Sequence, residues 1–412
     1  MRKIKNIRGM HDIFGDSFSH HQSVINRFNK LMEEHNYLPF SSPIMEYSDV
    51  FTKSLGDSSD VVTKEMYTFY DKSNESVTLR PEGTAGIARA VISNGLTQDL
   101  PLKLYYNGPM FRYERPQKGR MRQFHQIGIE NYSNENFYAD VEVIYIAYLL
   151  LNRLKVLDKV SLKINTLGDP ESRKNYISSL VNYFFEKKSK LSEDSIIRLK
   201  KNPLRILDSK HLQDIELVKN APKIYDYLSS ESRDYYEGLK LMLNQLNINY
   251  KEDPLLVRGL DYYSHTAFEF TLNEKENYAI LAGGKYESLV ESLGGPKISG
   301  TGWAAGIERL MSLCTDDSKK RKLILVIPLS QKCLSLSYRI RNESLGEDFK
   351  YEISTNFNLK KSLKYSNKIN ASYAVIIGEN EVENDYLTIK NLKDGEQKSI
   401  KNTELKDYLS NA

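Results

Sequence analysis

The chain has 412 residues, of which 40% are apolar and 27% charged, and its 58 lysines and arginines nearly balance its 54 acidic residues. This composition indicates a folded globular protein of two or three domains, and the net charge of +4 excludes a protein that coats nucleic acid over its whole surface. Two widely separated cysteines, an N-terminus without an apolar stretch and the lack of an apolar run of membrane-spanning length predict a cytoplasmic protein with free thiols.

The first 165 residues show a mixed pattern of helices and strands. Apolar periodicity predicts a helix over residues 18–36 and an amphipathic helix over residues 139–154. Between them, short alternating runs predict strands, including two strands within residues 104–130 that are joined by a basic loop. We therefore predict an α+β fold for this block.

A helical module is predicted next, over residues 169–247, because the periodicity there is helical and polar, without strand-like alternation. The sequence NPLRILDSK, residues 202–210, predicts a break between its helices. Strand patterns return at residues 264–272 and 277–282, and the glycines of residues 300–313 predict the entry into a helix. We expect these segments to complete the sheet of the first block.

Residues 323–412 follow a charged run and alternate strand, helix, strand, helix and strand. This order predicts a separate, small α/β domain. The predicted organisation is therefore one domain over residues 1–322, interrupted by the helical module at 169–247, and a second domain over residues 323–412.

The loop within residues 104–130 carries many cationic side chains against a single acid, Glu114. Pro116 and Gly119 keep this loop out of a helix. Arginine can present two N–H donors to one phosphate in a fixed geometry, so the loop is predicted to bind a polyphosphate or a nucleic-acid backbone. Its cationic residues are Arg112, Arg115, Lys118, Arg120 and Arg122.

Strand alternation sorts the side chains of residues 123–130 between two faces. Phe124, Gln126, Gly128 and Glu130 share one face, which offers an aromatic ring, an amide, a gap and a carboxylate. A carboxylate and an amide on one face could hold an ammonium group, while Phe124 stacks on a flat ring. An exposed sheet face with ordinary polar residues explains the same alternation equally well.

Three further segments place polar residues where a strand ends or a helix begins, as is typical of a binding cleft. For the tyrosine pair among them, a buried core tyrosine with a satisfied hydroxyl is the alternative. The segments are TLRPEGT (78–84) with Glu82 and Thr84, LVRGLDYY (256–263) with Arg258, Tyr262 and Tyr263, and GIERL (306–310) with Arg309.

Together with the hairpin GPMFRYERPQKGRMRQFHQIGIE, these segments resemble the class II aminoacyl-tRNA synthetases and, most closely, the histidyl-tRNA synthetase family. The resemblance extends along the chain through RGMHDIFGD, LPFSSPIME, NPLRILDSK and LAGGKYESLVESLGG. It implies an antiparallel catalytic sheet flanked by helices, a helical insertion and a C-terminal anticodon-binding domain. It also implies a ligase that uses ATP with Mg²⁺ to attach L-histidine to tRNA(His), without a tightly bound protein metal.

The resemblance implies roles for individual residues. The implied catalytic cations are Arg258, Arg112 and Arg309. ATP would be bound by Arg112, Glu114, Arg120, Phe124 and Arg309. Histidine would be bound by Glu82, Thr84, Arg112, Gln126, Glu130, Arg258, Tyr262 and Tyr263. Arg115 and Gln117 resemble residues that read the acceptor end of the tRNA.

A homodimer through the strand around Pro43 is also implied by the resemblance. The chain departs from the family pattern at Lys285, where arginine is more usual, and lysine lacks the bidentate fork. In the last domain, Lys360, Lys364 and Lys368 lie at helical spacing, and either tRNA binding or a solvated helix face explains them.

Two functions of another class are compatible with the same catalytic fold. The regulatory subunit of ATP phosphoribosyltransferase binds histidine as a sensor and catalyses nothing, and an accessory protein could use the fold to bind nucleic acid. Both are expected to lose the arginines that bind ATP, and the regulatory subunit also the helical module and the last domain. Arg112, Arg258 and Arg309 are all present, which favours the ligase.

Overall fold

The computed structural model describes residues 3–56, 59–117, 119–133, 136–260, 262–315, 321–344 and 349–411. The chain forms two compact units, Met1–Asp316 and Asp317–Ala412. Within the described ranges, every helix is too short or too polar to traverse a lipid bilayer. Neither cysteine is part of a disulfide bond, in agreement with the prediction, and both are buried.

The first unit contains eleven strands and ten α-helices in its described residues. Its N-terminal part consists of α1 (Gly15–Glu34), β1 (Leu38–Pro39), β2 (Met45–Tyr47), α2 (Ser48–Leu55), β3 (Tyr67–Tyr70), β4 (Ser76–Leu79), α3 (Thr84–Ser93), β5 (Leu102–Phe111), β6 (Gln123–Tyr132), α4 (Tyr138–Arg153) and β7 (Val160–Thr166). The remainder consists of α5 (Pro170–Glu186), α6 (Glu193–Lys201), α7 (Leu212–Val218), α8 (Ser230–Gln245), β8 (Tyr250–Glu252), β9 (Tyr263–Leu272), β10 (Lys275–Tyr286), α9 (Leu289–Ser292), β11 (Gly300–Gly306) and α10 (Ile307–Met311).

An eight-stranded sheet dominates this unit, in the order β1-β5-β6-β11-β10-β9-β7-β8. Its outermost pairs, β1 with β5 and β7 with β8, are parallel, and all pairs between them are antiparallel. Helices α1 and α4 pack with Ile127 and Ile129 of β6 in one hydrophobic core, and α2 and α3 contribute to a second core. The α+β fold with an antiparallel sheet flanked by helices is therefore confirmed.

The segment of residues 300–313 differs from its prediction. Gly300–Gly306 form strand β11 between β6 and β10, and only Ile307–Met311 are helical. Small residues suit this strand because the neighbouring backbones are close. A Cβ atom on Gly283 of β10 would overlap the carbonyl oxygen of Gly302, so glycine in this region permits sheet pairing.

The helical module consists of α5 to α8. Its part before α8 has a core of its own, which includes Tyr176, Leu180 and Ile206, whereas the buried side chains of α8 belong to the first core of the sheet. The predicted break at residues 202–210 contains a single 3₁₀ turn, Pro203–Ile206. At the start of α5, Asp169 accepts hydrogen bonds from the amide of Ser172 and from the hydroxyls of Ser229 and Ser232. Burial opposes the charge, but these donors hold the pKa of Asp169 below its ordinary value and connect the starts of α5 and α8.

The second unit is built on a five-stranded sheet in the order β13-β12-β14-β15-β16, in which β12 pairs in parallel with β13 and β14. The alternating pattern predicted its first five elements, and the remaining helices and strands follow β14. The elements are β12 (Lys322–Pro328), α11 (Leu334–Ser344), β13 (Phe349–Ile353), α12 (Leu359–Lys368), β14 (Tyr373–Ile377), α13 (Glu379–Glu383), β15 (Tyr386–Asn391), β16 (Gln397–Lys401) and α14 (Leu405–Asn411).

Candidate active site

A cleft of about 230 Å³ opens over the middle of the large sheet, beside β6, β10 and β11. The loop after β5 and the segment before β9 also contribute residues to its lining. Every predicted catalytic and ATP-binding residue lines this cleft, and so do the predicted histidine-binding residues apart from Glu130. The predicted residues that line it are Glu82, Thr84, Arg112, Glu114, Arg120, Phe124, Gln126, Arg258, Tyr262, Tyr263 and Arg309.

The predicted alternation of β6 is confirmed. Phe124 and Gln126 face the cleft, and Ile127 and Ile129 are fully buried in the core on the opposite side of the sheet. Strands β5 and β6 pair in continuous register from Leu102 with Tyr132 to Phe111 with Gln123, so the hairpin holds this alternation over its full length. This face of β6 therefore lines a cleft at Phe124 and Gln126.

One end of the cleft is cationic, and its guanidinium groups are held mainly by backbone carbonyls. Arg112 Nε donates to the carbonyl of Pro81 at 2.9 Å, and its guanidinium lies 5.5 Å from the centre of the Phe124 ring. Arg309 Nε and Nη1 donate to the carbonyls of Gly119 (3.2 Å) and Ala279 (2.6 Å). Neutral acceptors fix these charges without neutralising them, so the end of the cleft suits a polyanion.

The third arginine of this end, Arg120, lies 3.4 Å from the carboxylate of Glu114. Burial lowers the pKa of Arg309, and the nearby charges of Arg120 and Arg112 lower it further. Like charges are therefore held close together here. Such crowding is unfavourable in the empty cleft and becomes favourable when phosphate groups lie between the cations.

The opposite end of the cleft is acidic and buried. Glu82 accepts hydrogen bonds from the backbone amides of Thr84 (2.7 Å) and Ala85 (2.9 Å), at the N-terminus of α3. Beneath it, Glu130 accepts from the hydroxyls of Thr84 and Tyr286, both at 2.7 Å. The two carboxylates are therefore joined through Thr84, and of the two only Glu82 lines the cleft.

Burial raises the pKa of Glu130 to about 8, although the hydroxyls of Thr84 and Tyr286 favour the charged form. Burial also raises the pKa of Glu82, against the lowering effect of its two amide donors. Both carboxyls therefore hold a proton more tightly than an exposed glutamate. A ligand that brings a positive charge between them would favour their ionised forms.

Tyr106 belongs to this acidic end, and we did not predict it. Its ring fills the gap over Gly128, its partner in the β5–β6 pairing, and a Cβ atom on Gly128 or Gly83 would overlap that ring. The side chain is 4% exposed, and its hydroxyl has no hydrogen-bond partner among the described residues. A tyrosine opposite a glycine in the hairpin register was the signal that could have identified it.

The segment before β9 supplies a cation and two aromatic rings. Tyr262 and Tyr263 are each 6% exposed, with ring centres 4.6 Å apart. The guanidinium of Arg258 lies 5.4 Å from the Tyr263 ring, and its Nη1 is 3.6 Å from the carboxylate of Glu269. The buried Nε of Arg258 is unpaired within the described part of the chain. Arg258 is thus a cation whose Nε–H remains able to donate a hydrogen bond to a ligand.

A second unpredicted contact joins the cleft to the helices behind the sheet. Glu308 accepts hydrogen bonds from the backbone amide (3.0 Å) and the Nδ1 atom (2.8 Å) of His125, and the ring of buried His21 packs edge-on against His125. These three residues are of metal-ligating types and lie close together, whereas the sequence spacing predicted no metal site. The carboxylate of Glu308 already accepts two hydrogen bonds from His125. Because Glu308 precedes Arg309 and His125 follows Phe124, we interpret the contact as one that fixes the backbone at Arg309 and Phe124.

The predicted tRNA-reading residues lie outside the cleft. Arg115 and Gln117 are exposed in the loop between β5 and β6, where the backbone of Gln117 pairs with that of Arg120 at 3.1 and 2.9 Å. Lys118, the loop's remaining predicted cation, lies outside the described residues. A role of Arg115 and Gln117 in binding tRNA stays a prediction.

The chain matches the family model described as histidyl-tRNA synthetase over residues 9–171 and 184–310, and an anticodon-binding domain model over residues 323–412. The chain belongs to the histidyl-tRNA synthetase family. The curated histidine–tRNA ligase of Rhodospirillum rubrum is 45% identical, with 100% of this chain and 99% of the relative aligned. That of Aquifex aeolicus is 41% identical, with 98% of this chain and 100% of the relative aligned.

Solved structures of this family agree with the fold. Apo histidyl-tRNA synthetase from S. aureus matches with a TM-score of 0.80 and 33% identity, over 98% of this chain and 99% of that one. A Bacillus halodurans structure titled as an ATP phosphoribosyltransferase regulatory subunit/histidyl-tRNA synthetase matches with a TM-score of 0.69 but 16% identity, over 92% and 98%. The second match concerns the fold alone.

Replacing Glu130 with glutamine should change how stability depends on pH. The carboxyl titrates at about 8 in the folded chain and at 4.5 ordinarily, so the folded state binds more protons between these values. Stability is therefore lost as the pH rises through this window, by up to about 1.4 kcal/mol per pH unit. Glutamine does not titrate. Between about pH 5 and about pH 8, the thermal midpoint of the parent should thus fall relative to that of Glu130→Gln. A difference between the two midpoints that stays constant with pH would contradict the raised pKa.

Proposed function

We propose that the cleft binds ATP at its cationic end and L-histidine at its acidic end, and that the chain is the ligase that attaches this histidine to tRNA(His). The observation that carries the proposal is the convergence of Arg112, Arg258 and Arg309 on one cleft. The carboxylate of Glu82 also lines this cleft, and that of Glu130 is buried behind Thr84. Relatives aligned over the full chain favour the ligase over the sensor subunit. We place the reaction in the cytoplasm.

In the first step, a carboxylate oxygen of histidine attacks the α-phosphorus of ATP, and the bond from that phosphorus to the bridging oxygen of pyrophosphate breaks. Negative charge gathers on oxygens that remain unprotonated, so the step needs fixed cations rather than a protein nucleophile. Arg112 and Arg258 would face the α-phosphate, and Arg309 and Arg120 the departing phosphates. Mg²⁺ enters with ATP as part of the substrate, bound chiefly by phosphate oxygens.

The adenine would stack on Phe124, with its amino group on Glu114. This position is consistent with the state of Glu114 Oε2, which lies 3.4 Å from Arg120 Nη1 but accepts no hydrogen bond within the described ranges. Adenine offers that oxygen an N–H donor, which would relieve the cost of an unsatisfied buried acceptor. The guanidinium of Arg112 lies 5.5 Å from the centre of the Phe124 ring, so it would lie between the adenine and the α-phosphate.

Histidine recognition rests on charge at one end and on hydrogen bonds at the other. The ammonium group would lie against Glu82, Thr84 and Gln126, and the imidazole ring would reach towards Glu130 and the tyrosine pair. Both ring nitrogens of the substrate need partners, and a site built of buried polar groups rejects apolar amino acids because those groups would be left unpaired. The proposal therefore includes selectivity without a separate editing step.

In the second step, a ribose hydroxyl of the terminal adenosine of the tRNA attacks the activated carbonyl, and AMP leaves. Arg115 and Gln117, exposed beside the cleft, would contact the acceptor end. In the second unit, Lys360, Lys364 and Lys368 are exposed on α12 and would contribute phosphate contacts to anticodon binding.

Pyrophosphate exchange with each of the twenty amino acids tests the reaction and the substrate together. We expect ATP–pyrophosphate exchange with L-histidine alone, because its imidazole carries an N–H donor and a nitrogen acceptor on two different edges of one planar ring, an arrangement that no other standard side chain has. Exchange with another amino acid, or none with histidine, would contradict the proposal.

Replacing Arg258 with alanine should reduce histidine-dependent exchange by more than about a hundredfold, the scale for losing one charge contact in a transition state. The matched control is Arg115→Ala, which removes an exposed arginine of the neighbouring loop. It should leave exchange close to the parent rate and lower the rate of tRNA charging. Near-normal exchange by Arg258→Ala would remove this residue from the mechanism.

We also propose a homodimer that covers the three-stranded sheet β2-β4-β3. Its outer face is apolar, since Met45, Tyr47 and Phe69 are 48%, 59% and 45% exposed, whereas the inner face buries polar Glu46 and Thr78. An apolar outer face on a short sheet is unfavourable in water and is typical of an interface. Pro43 lies just before β2 in the sequence, and the family resemblance assigned the strand around Pro43 to the dimer interface.

Light scattering at micromolar concentration should give twice the mass of one chain. The double variant Tyr47→Asp/Phe69→Asp should shift the protein to the monomer, because it places two charges in the covered face. Leu241→Asp, which alters an exposed apolar residue on α8, is the matched control and should remain dimeric. A monomeric parent protein would refute this interface.

A further inference from the structure

The segment of residues 253–260 connects β8 to the cleft without regular secondary structure, so its backbone carbonyls cannot all be satisfied by strand pairing. Side chains supply the missing donors. On the sheet side, Asn165 Nδ2 donates to the carbonyl of Leu256 at 3.0 Å and approaches that of Pro254 at 3.4 Å. Val257 packs against both the second core of the sheet and the core of the helical module.

The helical module supplies two further donors, both arginines. Arg205, from the 3₁₀ turn between α6 and α7, donates through Nη1 to the carbonyl of Arg258 at 3.3 Å. Arg173, from α5, donates through Nη1 to the carbonyl of Tyr263 at 2.8 Å. The two contacts therefore lie at either end of the stretch that presents Arg258 and the tyrosine pair to the cleft.

Arg205 is well placed to act as a fixed support. Its side chain is 15% exposed and lies 3.9 Å from Asp60 and 4.0 Å from Asp208. A Cβ atom on Gly259 would touch its Nη1 at 3.4 Å, so the guanidinium rests directly on the chain next to Arg258. A planar, permanently charged group held among carboxylates keeps its orientation well.

We infer that Arg205 and Arg173 are positioning residues for histidine activation, through which the helical module sets where Arg258 and Tyr263 lie in the cleft. The inference rests on the proposed function. Among the residues that the structure describes, the side chain of Arg258 approaches Glu269 at 3.6 Å and the Tyr263 ring, and its Nε has no hydrogen-bond partner. Its position therefore depends on the backbone beneath it. A displacement of about 1 Å in such a group can cost about a hundredfold in rate.

The test measures kcat and KM in histidine-dependent pyrophosphate exchange with the full chain. Arg205→Ala should lower kcat by about tenfold or more and leave the KM for ATP nearly unchanged, because Arg112 and Arg309 keep their own carbonyl partners. Arg205→Lys, which retains a cation and a donor, should recover part of the loss. Arg173→Ala should repeat the result from the other end of the stretch.

A double-mutant cycle separates positioning from a general loss of stability. In the Arg258→Ala background, Arg205→Ala should cost less than about twofold more, because the group that it positions is already absent. The matched control is Arg233→Ala, whose guanidinium donates to the carbonyl of Tyr225 within the module at 3.5 Å and has no hydrogen bond to the described residues of 253–263. It should retain the parent kcat, and thermal midpoints of all variants show whether they fold.

Two results would overturn the inference. One is a parent-like kcat in both Arg205→Ala and Arg173→Ala, and the other is a loss in the double variant equal to the product of the two single losses. Failure of the parent chain itself to support histidine-dependent exchange would instead refute the proposed function, so the two failures are distinguishable. If Arg205→Ala does not fold, the cycle with Arg173→Ala decides the question.

Discussion

The site depends on one physical arrangement, in which arginines are held by backbone carbonyls instead of by carboxylates. Pro81, Gly119 and Ala279 supply acceptors for Arg112 and Arg309. A carbonyl fixes the orientation of a guanidinium but leaves its charge available, whereas an ion pair would neutralise it. The cost is repulsion among cations in the empty cleft, which a bound triphosphate would relieve. Preorganised charge of this kind is what phosphoryl and nucleotidyl transfer requires.

Contacts between arginines and backbone carbonyls also occur around Arg258, but there the arginines are the supporting groups. Arg205 and Arg173 of the helical module donate to the carbonyls of Arg258 and Tyr263. In one case the backbone positions a cation for the substrate, and in the other a cation positions the backbone. At the acidic end the acceptors are carboxylates and the donors are neutral, since Glu82 accepts from backbone amides and Glu130 accepts from hydroxyls. Apart from Arg120, which lies 3.4 Å from Glu114, the charged groups of both ends are thus held by neutral partners.

Much of the fold and of the site could be predicted from local patterns. Strand alternation correctly placed Phe124 and Gln126 on the cleft face of β6, and helical periodicity identified the module and α4. The predictions that failed or were missing depended on pairing between distant segments. Residues 300–306 become a strand because β6 and β10 lie on either side of them, and Tyr106 matters because Gly83 and Gly128 leave room for its ring. No local periodicity contains that information.

By itself, the sequence determined the chemical inventory: the arginines and carboxylates, the alternation that sorts them between faces, and the motifs shared with the histidyl-tRNA synthetases. Only the tertiary structure decided which cations meet carbonyls, and that the carboxyl of Glu130 is buried enough to raise its pKa to about 8. It also showed that Arg205 and Arg173 of the helical module donate hydrogen bonds to the backbone carbonyls of Arg258 and Tyr263. The physical reason is that desolvation and electrostatic interaction depend on distances through space, which segments far apart in the chain set jointly when they pack.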